Sequence, residues 1–350
     1  MQGIHQHEIV GVIHIHSNYS DGTKTIEEIA QIGEAAGLDY LMFSDHMTLQ
    51  PQRDGLERFH GKVAVIIGYE IEDAKNENHY LAFGLDQELP ADLAAREYVT
   101  AVRENGGLGI IAHPDEIRNA IPKYPSYPWT DWNAKGFDGI EIWNHMSAWM
   151  ELLKRINMLK MVFTPRRGLR GPTARVLNKW DELAKEQSIA GIGSADVHAH
   201  AYRKGPIKVT IFPYKVQFRS IRTHLLLKEP LSSDFKRAQG QIFGAIRSCR
   251  LFVSNFRQGD ARGFKFYAQA GDRSFQMGEN IPVSDDLVMI MEAPRSANIR
   301  VIHNGSVIRS LKGSEFRMAI RKPGLYRSEL MRHNRGWIYT NHLKVSKAEG

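Results

Sequence analysis

The sequence predicts an α/β fold followed by a smaller all-β region, and three observations carry that expectation. Apolar runs of strand length alternate with amphipathic helical stretches over the first 205 residues. Successive strands in that part end on His, Asp, Glu or Asn, which is how βα architectures place function at the carboxyl ends of their strands. Beyond residue 250 the helical period stops, and short alternating segments separated by turn signals take over.

A chain of 350 residues with 42% hydrophobic residues can fill one large core or two moderate ones. Its apolar runs, such as residues 108–112, fall far short of the roughly 18 needed to span a bilayer, so no membrane partner is expected. The opening MQGIHQHEIV shows neither the basic nor the apolar part of a secretory signal, and a cytoplasmic location is the expectation. The lone Cys249 excludes an intrachain disulfide and suits a reducing compartment. Net charge is +7, with cations crowded at 154–179, 203–237 and 295–335. Basic surface around an acidic pocket draws in anionic substrates, although a solvated face is the competing reading. No helix-turn-helix, zinc-finger or RNA-recognition pattern accompanies the charge, and nucleic acid stays an alternative partner.

Taken in order, residues 9–13 read as the first strand and deliver His14 and His16. Residues two apart on a strand share a face, so both imidazoles project together and can hold a metal; a pair of surface histidines is the competing reading. Asp21-Gly22 is a turn, and Thr25 with Glu28 forms a capping box opening a helix to about Gly37 that buries Ile26, Ile29 and Ala30. A strand from Tyr40 to Ser44 delivers Asp45 and His46. The run 63–68 leads to Glu70, and 79–84 is a strand that begins on His79. A helix over 91–105 closes at Gly106-Gly107, and 108–112 runs into His113-Pro114. Strand 137–143 ends in Asn144, and 188–193 leads to Asp196 and His198.

Between the last two strands, 150–161 reads as a helix, 164–172 as a basic loop, and Thr173 as the cap of a helix to about Gln187. Arg166, Arg167 and Arg170 in the loop, with Arg203 further on, are candidates to bind a substrate phosphate through guanidinium contacts; a solvated connector is the competing reading. The chain divides into residues 1–205, a basic transition with a helix at 206–250, and 251–350. Turn signals at Gly271-Asp272, Asp285-Asp286 and Asn304-Gly305 make the last part a small β-sandwich. Its aromatics Phe264, Phe266, Tyr267, Trp337 and Tyr339 stand at strand spacing, as core residues do.

The HxHxxxSDG opening at 14–22, SDH at 44–46, the His113-Pro114 pair and SADVH at 194–198 together resemble the PHP family of metal-dependent phosphoesterases, over roughly residues 9–205. The resemblance implies a distorted (β/α)7 barrel with two or three divalent ions at its mouth. One ion would take His14, His16, Glu70 and Asp196; a second would share Glu70 and add His113 and Asn144; a third would use Asp21, His46 and His198. Mixed imidazole and carboxylate donors without cysteine suit Mn, Fe or Zn. Asp45 is expected to orient a ligand histidine, Trp143 to wall the pocket, and Asp21 or His198 to protonate the leaving oxygen. His79 has no assigned role. The implied activity is hydrolysis of a small phosphorylated substrate through a metal-activated water. The alternatives are a nuclease acting on 3′ or 5′ ends, hydrolysis of a non-phosphate bond, and a non-catalytic metal-containing binding module.

Overall fold

The computed structural model describes residues 7–118, 120–121, 125–204 and 207–347, with side chains at all of these except 202–204 and 207–208. Seven strands of the first part set the framework: β1 (His7–Ile15), β2 (Tyr40–His46), β3 (Val63–Glu72), β4 (His79–Phe83), β5 (Leu108–Ile111), β6 (Gly139–Asn144) and β7 (Ala190–Ser194). The pairs β1–β2, β2–β3, β5–β6 and β6–β7 are parallel, whereas β4 runs antiparallel to both β3 and β5. Past β7 the ladder returns to its start: Ala195 N donates to Ile13 O at 3.0 Å and His16 N to Val197 O at 3.1 Å. The fold is thus mixed α/β, built on one large sheet.

Both faces of these strands are covered, which is why they read as continuous apolar runs rather than alternating ones. On β2, Leu41 and Phe43 join one core with Ile26 and Ile29 of the first helix, while Tyr40 and Met42 join another with Ile66 and Ile110. The first helix, Ile26–Ala35, carries the expected box: Glu28 N donates to Thr25 Oγ1 at 3.3 Å and Thr25 N to Glu28 Oε2 at 3.1 Å. Thr173 likewise caps Ala174–Glu186. The single helix expected over 150–161 is two, His145–Leu152 and Met158–Phe163, parted by a 3-10 turn at Arg155–Asn157. Asn144 starts the first of them early, because its side chain accepts from Ser147 N.

The stretch read as a transition contains a buried strand, β8 (Ile221–Leu227), antiparallel to β1, and the helix Phe235–Arg247. Next to β8 lies β9 (Leu251–Asn255), which in turn pairs with Arg335–Thr340. The C-terminal strands therefore continue the ladder from β1, around their own core of Phe252, Phe264, Phe266, Leu330 and Trp337. A buried ion pair ties them to the helix Ala174–Glu186: Arg327 Nε and Nη2 each donate to Asp181 at 2.8 Å, and His342 Nε2 lies 2.7 Å from the same carboxylate. Among the described residues, no helix is long and apolar enough to cross a membrane.

Candidate metal centre

The strand ends converge, but not by simple alternation along β1. His14 has φ of 66°, and the register with β2 shifts between Ile13 and Ile15, so a bulge re-aims the imidazole. His113 and Asp196 also sit at positive φ, 28° and 53°. Such conformations cost non-glycine residues about 1–3 kcal/mol each and persist where the surroundings dictate them. Here they collect at three predicted ligands. The reversed β4 explains His79: running against its neighbours, it brings its first residue, not its last, to the carboxyl ends of the parallel strands.

Glu70 is the centre of the arrangement. Its Oε2 lies 3.1 Å from His14 Nε2, 3.4 Å from His16 Nε2 and 3.5 Å from His46 Nδ1. Its Oε1 lies 2.8 Å from His79 Nδ1 and 3.2 Å from His113 Nε2. Asp196 Oδ1 stands 3.6 Å from His14 Nε2 and 3.7 Å from His16 Nε2. A third group forms at the rim, where Asp21 Oδ1 is 3.2 Å from His198 Nε2 and 3.8 Å from His46 Nε2. Three sets of ligand atoms come close enough to share an ion: His14, His16 and Glu70; Glu70, His79 and His113; and His16, Asp21, His46 and His198.

These donors fit divalent cations. Carboxylate and imidazole ligands at about 2.0–2.2 Å from one ion stand roughly 3–3.5 Å from each other, close to the spacings around Glu70. His16 makes the stronger case. It is wholly buried, and neither ring nitrogen has a hydrogen-bond partner among the described residues. Buried polar groups are ordinarily satisfied, and an imidazole aimed at carboxylates with no hydrogen bond is what a cation ligand needs. Burial, together with the neighbouring His198 and His46, holds its pKa well below the ordinary value, which keeps it neutral. For Glu70 burial pushes the other way, but His14, His46 and His79 outweigh it and hold the carboxyl well below the usual range. His46 rises to about 9, since the carboxylates of Glu70, Glu72 and Asp21 overcome its burial. His113 also reaches about 9, against its burial, through Glu116 and Glu70.

Two supporting carboxylates escaped the sequence reading. Glu141 is buried in the middle of β6, with Oε1 2.7 Å from His14 Nδ1, while its Oε2 accepts from His113 N at 2.7 Å and Asn144 Nδ2 at 2.8 Å. Its signal was present: a Glu between Ile140 and Ile142, in a strand covered on both faces, must have partners. Glu72, at the end of β3, places Oε1 2.6 Å from His46 Nδ1 and turns that ring's Nε2 toward Asp21.

Other predicted residues serve differently. Asn144 caps a helix with its oxygen and donates its amide to Glu141 and, at 3.3 Å, to Asp196, so His79 takes the place expected of it beside Glu70 and His113. Among the described residues Asp45 touches no histidine through a hydrogen bond; it accepts from Ser17 N and Ser17 Oγ at 2.7 Å and from Ser20 Oγ at 2.6 Å. It thereby fixes the turn that carries Asp21. A Cβ on Gly22 in that turn would stand 2.4 Å from His16 O, which is why the turn closes on glycine. Trp143 packs against Tyr339, with ring centroids 5.5 Å apart, instead of walling the main pocket.

The centre opens into a pocket of about 670 Å³ whose lining includes Asp21, His46, Glu70, His79, His113, Asp196 and His198. Arg166, Arg167 and Arg170 are absent from its lining. Arg166 donates instead to Arg219 O at 3.1 Å, and Arg170 lies at a smaller neighbouring pocket of about 240 Å³. The Arg203 side chain lies outside the described residues. Among the described residues the pocket's arginine is Arg118, held by Glu116 at 2.6 Å. His200 also reaches the pocket, its ring stacked on His198 and its Nε2 4.0 Å from Asp21 Oδ2.

Histidines and carboxylates gathered in this way at the strand ends of an α/β fold define a candidate metal centre. Residues 13–117 match the family model of the PHP domain. The uncharacterized protein MJ1587 of Methanocaldococcus jannaschii is 28% identical over 115 residues, 29% of this chain and 66% of that relative, just under two thirds of its length. Among solved structures, a two-domain protein from Bacteroides vulgatus containing a predicted PHP-like metal-dependent phosphoesterase is similar at 15% identity and a TM-score of 0.47, covering 97% of this chain and 96% of that one. PsfC from Pseudomonas syringae is similar at 14% identity and a TM-score of 0.41, covering 69% of this chain and 96% of PsfC.

Proposed function

We propose that this chain is a metal-dependent phosphoesterase acting on a small phosphorylated substrate, with the seven strands forming a distorted (β/α)7 barrel and the C-terminal strands a β-sandwich. One observation carries the reading: both oxygens of the buried Glu70 carboxylate are ringed by imidazoles, His14, His16 and His46 on one side and His79 and His113 on the other. A carboxylate so placed could serve two cations, one on each oxygen. His14, His16, Glu70 and Asp196 would hold one ion, Glu70, His79 and His113 a second, and Asp21, His46 and His198 a third, with Mn, Fe or Zn suited to the donors. Divalent ions held by these residues would supply Lewis acidity toward a phosphoryl oxygen and toward water.

The chain's own residues do the rest. Glu141 and Glu72 orient His14 and His46, so the imidazoles are in place before substrate arrives. Asp45 locks the turn behind Asp21. His200, beside Asp21 at the pocket and outside the three ligand groups, is placed to pass a proton to the departing oxygen from Nε2. The test is reconstitution: metal-stripped protein is loaded with Mn, Zn or Fe and assayed on an aryl phosphate monoester and the matching diester. Metal-dependent turnover supports the reading; a protein that holds no divalent ion under any loading condition overturns it.

A further inference from the structure

The metal groups account for part of the pocket lining, and another part has a different character. Ile121, Met146, Trp149, Met150, Ile211 and Phe212 form it. These residues belong to a small apolar cluster separate from the three larger cores, in which Trp149 and Phe212 meet edge to face at 4.7 Å. Trp149 is pinned by its indole, which donates to Met161 O at 3.0 Å. The wall is therefore preformed.

Volume and charge narrow what the pocket takes. A space of about 670 Å³ is within the range of sites for drug-sized ligands, and a phosphoryl group at the metal end fills only a small part of it. The remainder borders apolar side chains that gain from contact with an apolar group. Arg118 adds little attraction for a second anion, because the buried Glu116 carboxylate sits 2.6 Å from its guanidinium and offsets the charge. Glu116 is fixed in that role by Ser147 Oγ at 2.7 Å and Tyr127 N at 3.1 Å. Among the described residues Arg118 is the one lysine or arginine lining the pocket, so a nucleotide or polyanionic leaving group would meet few cations there.

We infer that the substrate is a phosphate ester whose organic part is uncharged, bulky and apolar, up to the size of a fused aromatic pair, seated against Trp149, Met150 and Phe212. This rests on the phosphoesterase reading above. The experiment compares 2-(1-naphthyl)ethyl phosphate, methyl phosphate and adenosine monophosphate on the metal-loaded full chain. The first two leave as primary alcohols of similar basicity, so their ratio of kcat/KM reports the pocket and not the leaving group. The expected result is a preference of about thirtyfold or more for the naphthyl ester, as burial of two rings supplies. Met146→Asn and Ile211→Asn, at half-buried positions of the wall, should each reduce that ratio at least fivefold. A ratio within threefold of unity, or a preference for adenosine monophosphate, overturns this inference while leaving the phosphoesterase reading standing. Turnover of none of the three overturns this inference, and absence of turnover on the aryl monoester and diester as well overturns the phosphoesterase reading with it.

Discussion

Replacing Glu141 by Gln tests whether the hydrogen bonds behind the ligands set metal affinity. The carboxylate receives three groups at once: His14 Nδ1 at 2.7 Å on one oxygen, and His113 N and Asn144 Nδ2 at 2.7 and 2.8 Å on the other. Gln keeps the shape but owns one oxygen and one NH2. If its oxygen accepts from His14, its NH2 confronts two N–H donors; if the amide is turned over, the NH2 faces His14 Nδ1 and the ring loses the acceptor that aims Nε2 at Glu70 and Asp196. Either way a buried donor is left without an acceptor, at a cost of about 1–3 kcal/mol. Loss of such a partner behind a ligand histidine weakens metal binding about 10–100-fold. Calorimetric titration of metal-free protein with Mn or Zn reads the change, and a thermal melt confirms that the fold is retained. Wild-type affinity in a folded Glu141→Gln variant would refute the assignment of His14 as a ligand through Nε2.

Further outcomes follow from the same geometry. His79→Ala should lose about one bound ion per chain, whereas Asn144→Ala should keep the metal content and lose about 1 kcal/mol from the helix cap; metal analysis and melting separate the two. His46 and His113, raised to about 9, carry protons at pH 7 that a cation must displace, so affinity rises as pH climbs from 6 toward 9. Titrations in buffers of different ionisation heat should show proton release at pH 7, and none would contradict the assignment. Asp181 is held at about 2 despite its burial, by Arg327 and His342, so its stabilisation is complete above the ordinary value of 3.8 and is lost as pH falls through about 2. That shift is worth about 2 kcal/mol. The stability gap between wild type and Asp181→Asn should shrink by that amount between pH 5 and 2; a gap independent of pH would refute it.

The parts legible in the sequence are those written in local pattern. Strand ends declared themselves because polar ligand types interrupt runs that are apolar on both faces, and the Thr25 to Glu28 box marked a helix start by its own chemistry. His79 was visible but misread in weight: only six residues separate β3 from β4, too few for a parallel crossover, so the strand had to turn back and begin at the site. What stayed hidden depends on the path of the backbone. A histidine at φ of 66° carries no residue-type signature, unlike a glycine, so the bulge at His14 could not be read. Arginines in a loop advertise charge but not direction, and Arg166 turns to a carbonyl while the unremarked Arg118 reaches the pocket. The strand at 221–227 was obscured by the charges and prolines around it, although IRTHLLL is buried throughout.

The proposed metal centre depends on Glu70 serving two cations at once. Equilibrium dialysis against Mn, followed by elemental analysis of folded wild-type and Glu70→Gln protein, tests it most directly. At least two ions per chain are expected in the wild type and loss of two together in the variant, with the Asp21, His46 and His198 group retaining any ion it holds. Equal metal content in the two proteins, or loss of a single ion, would contradict it.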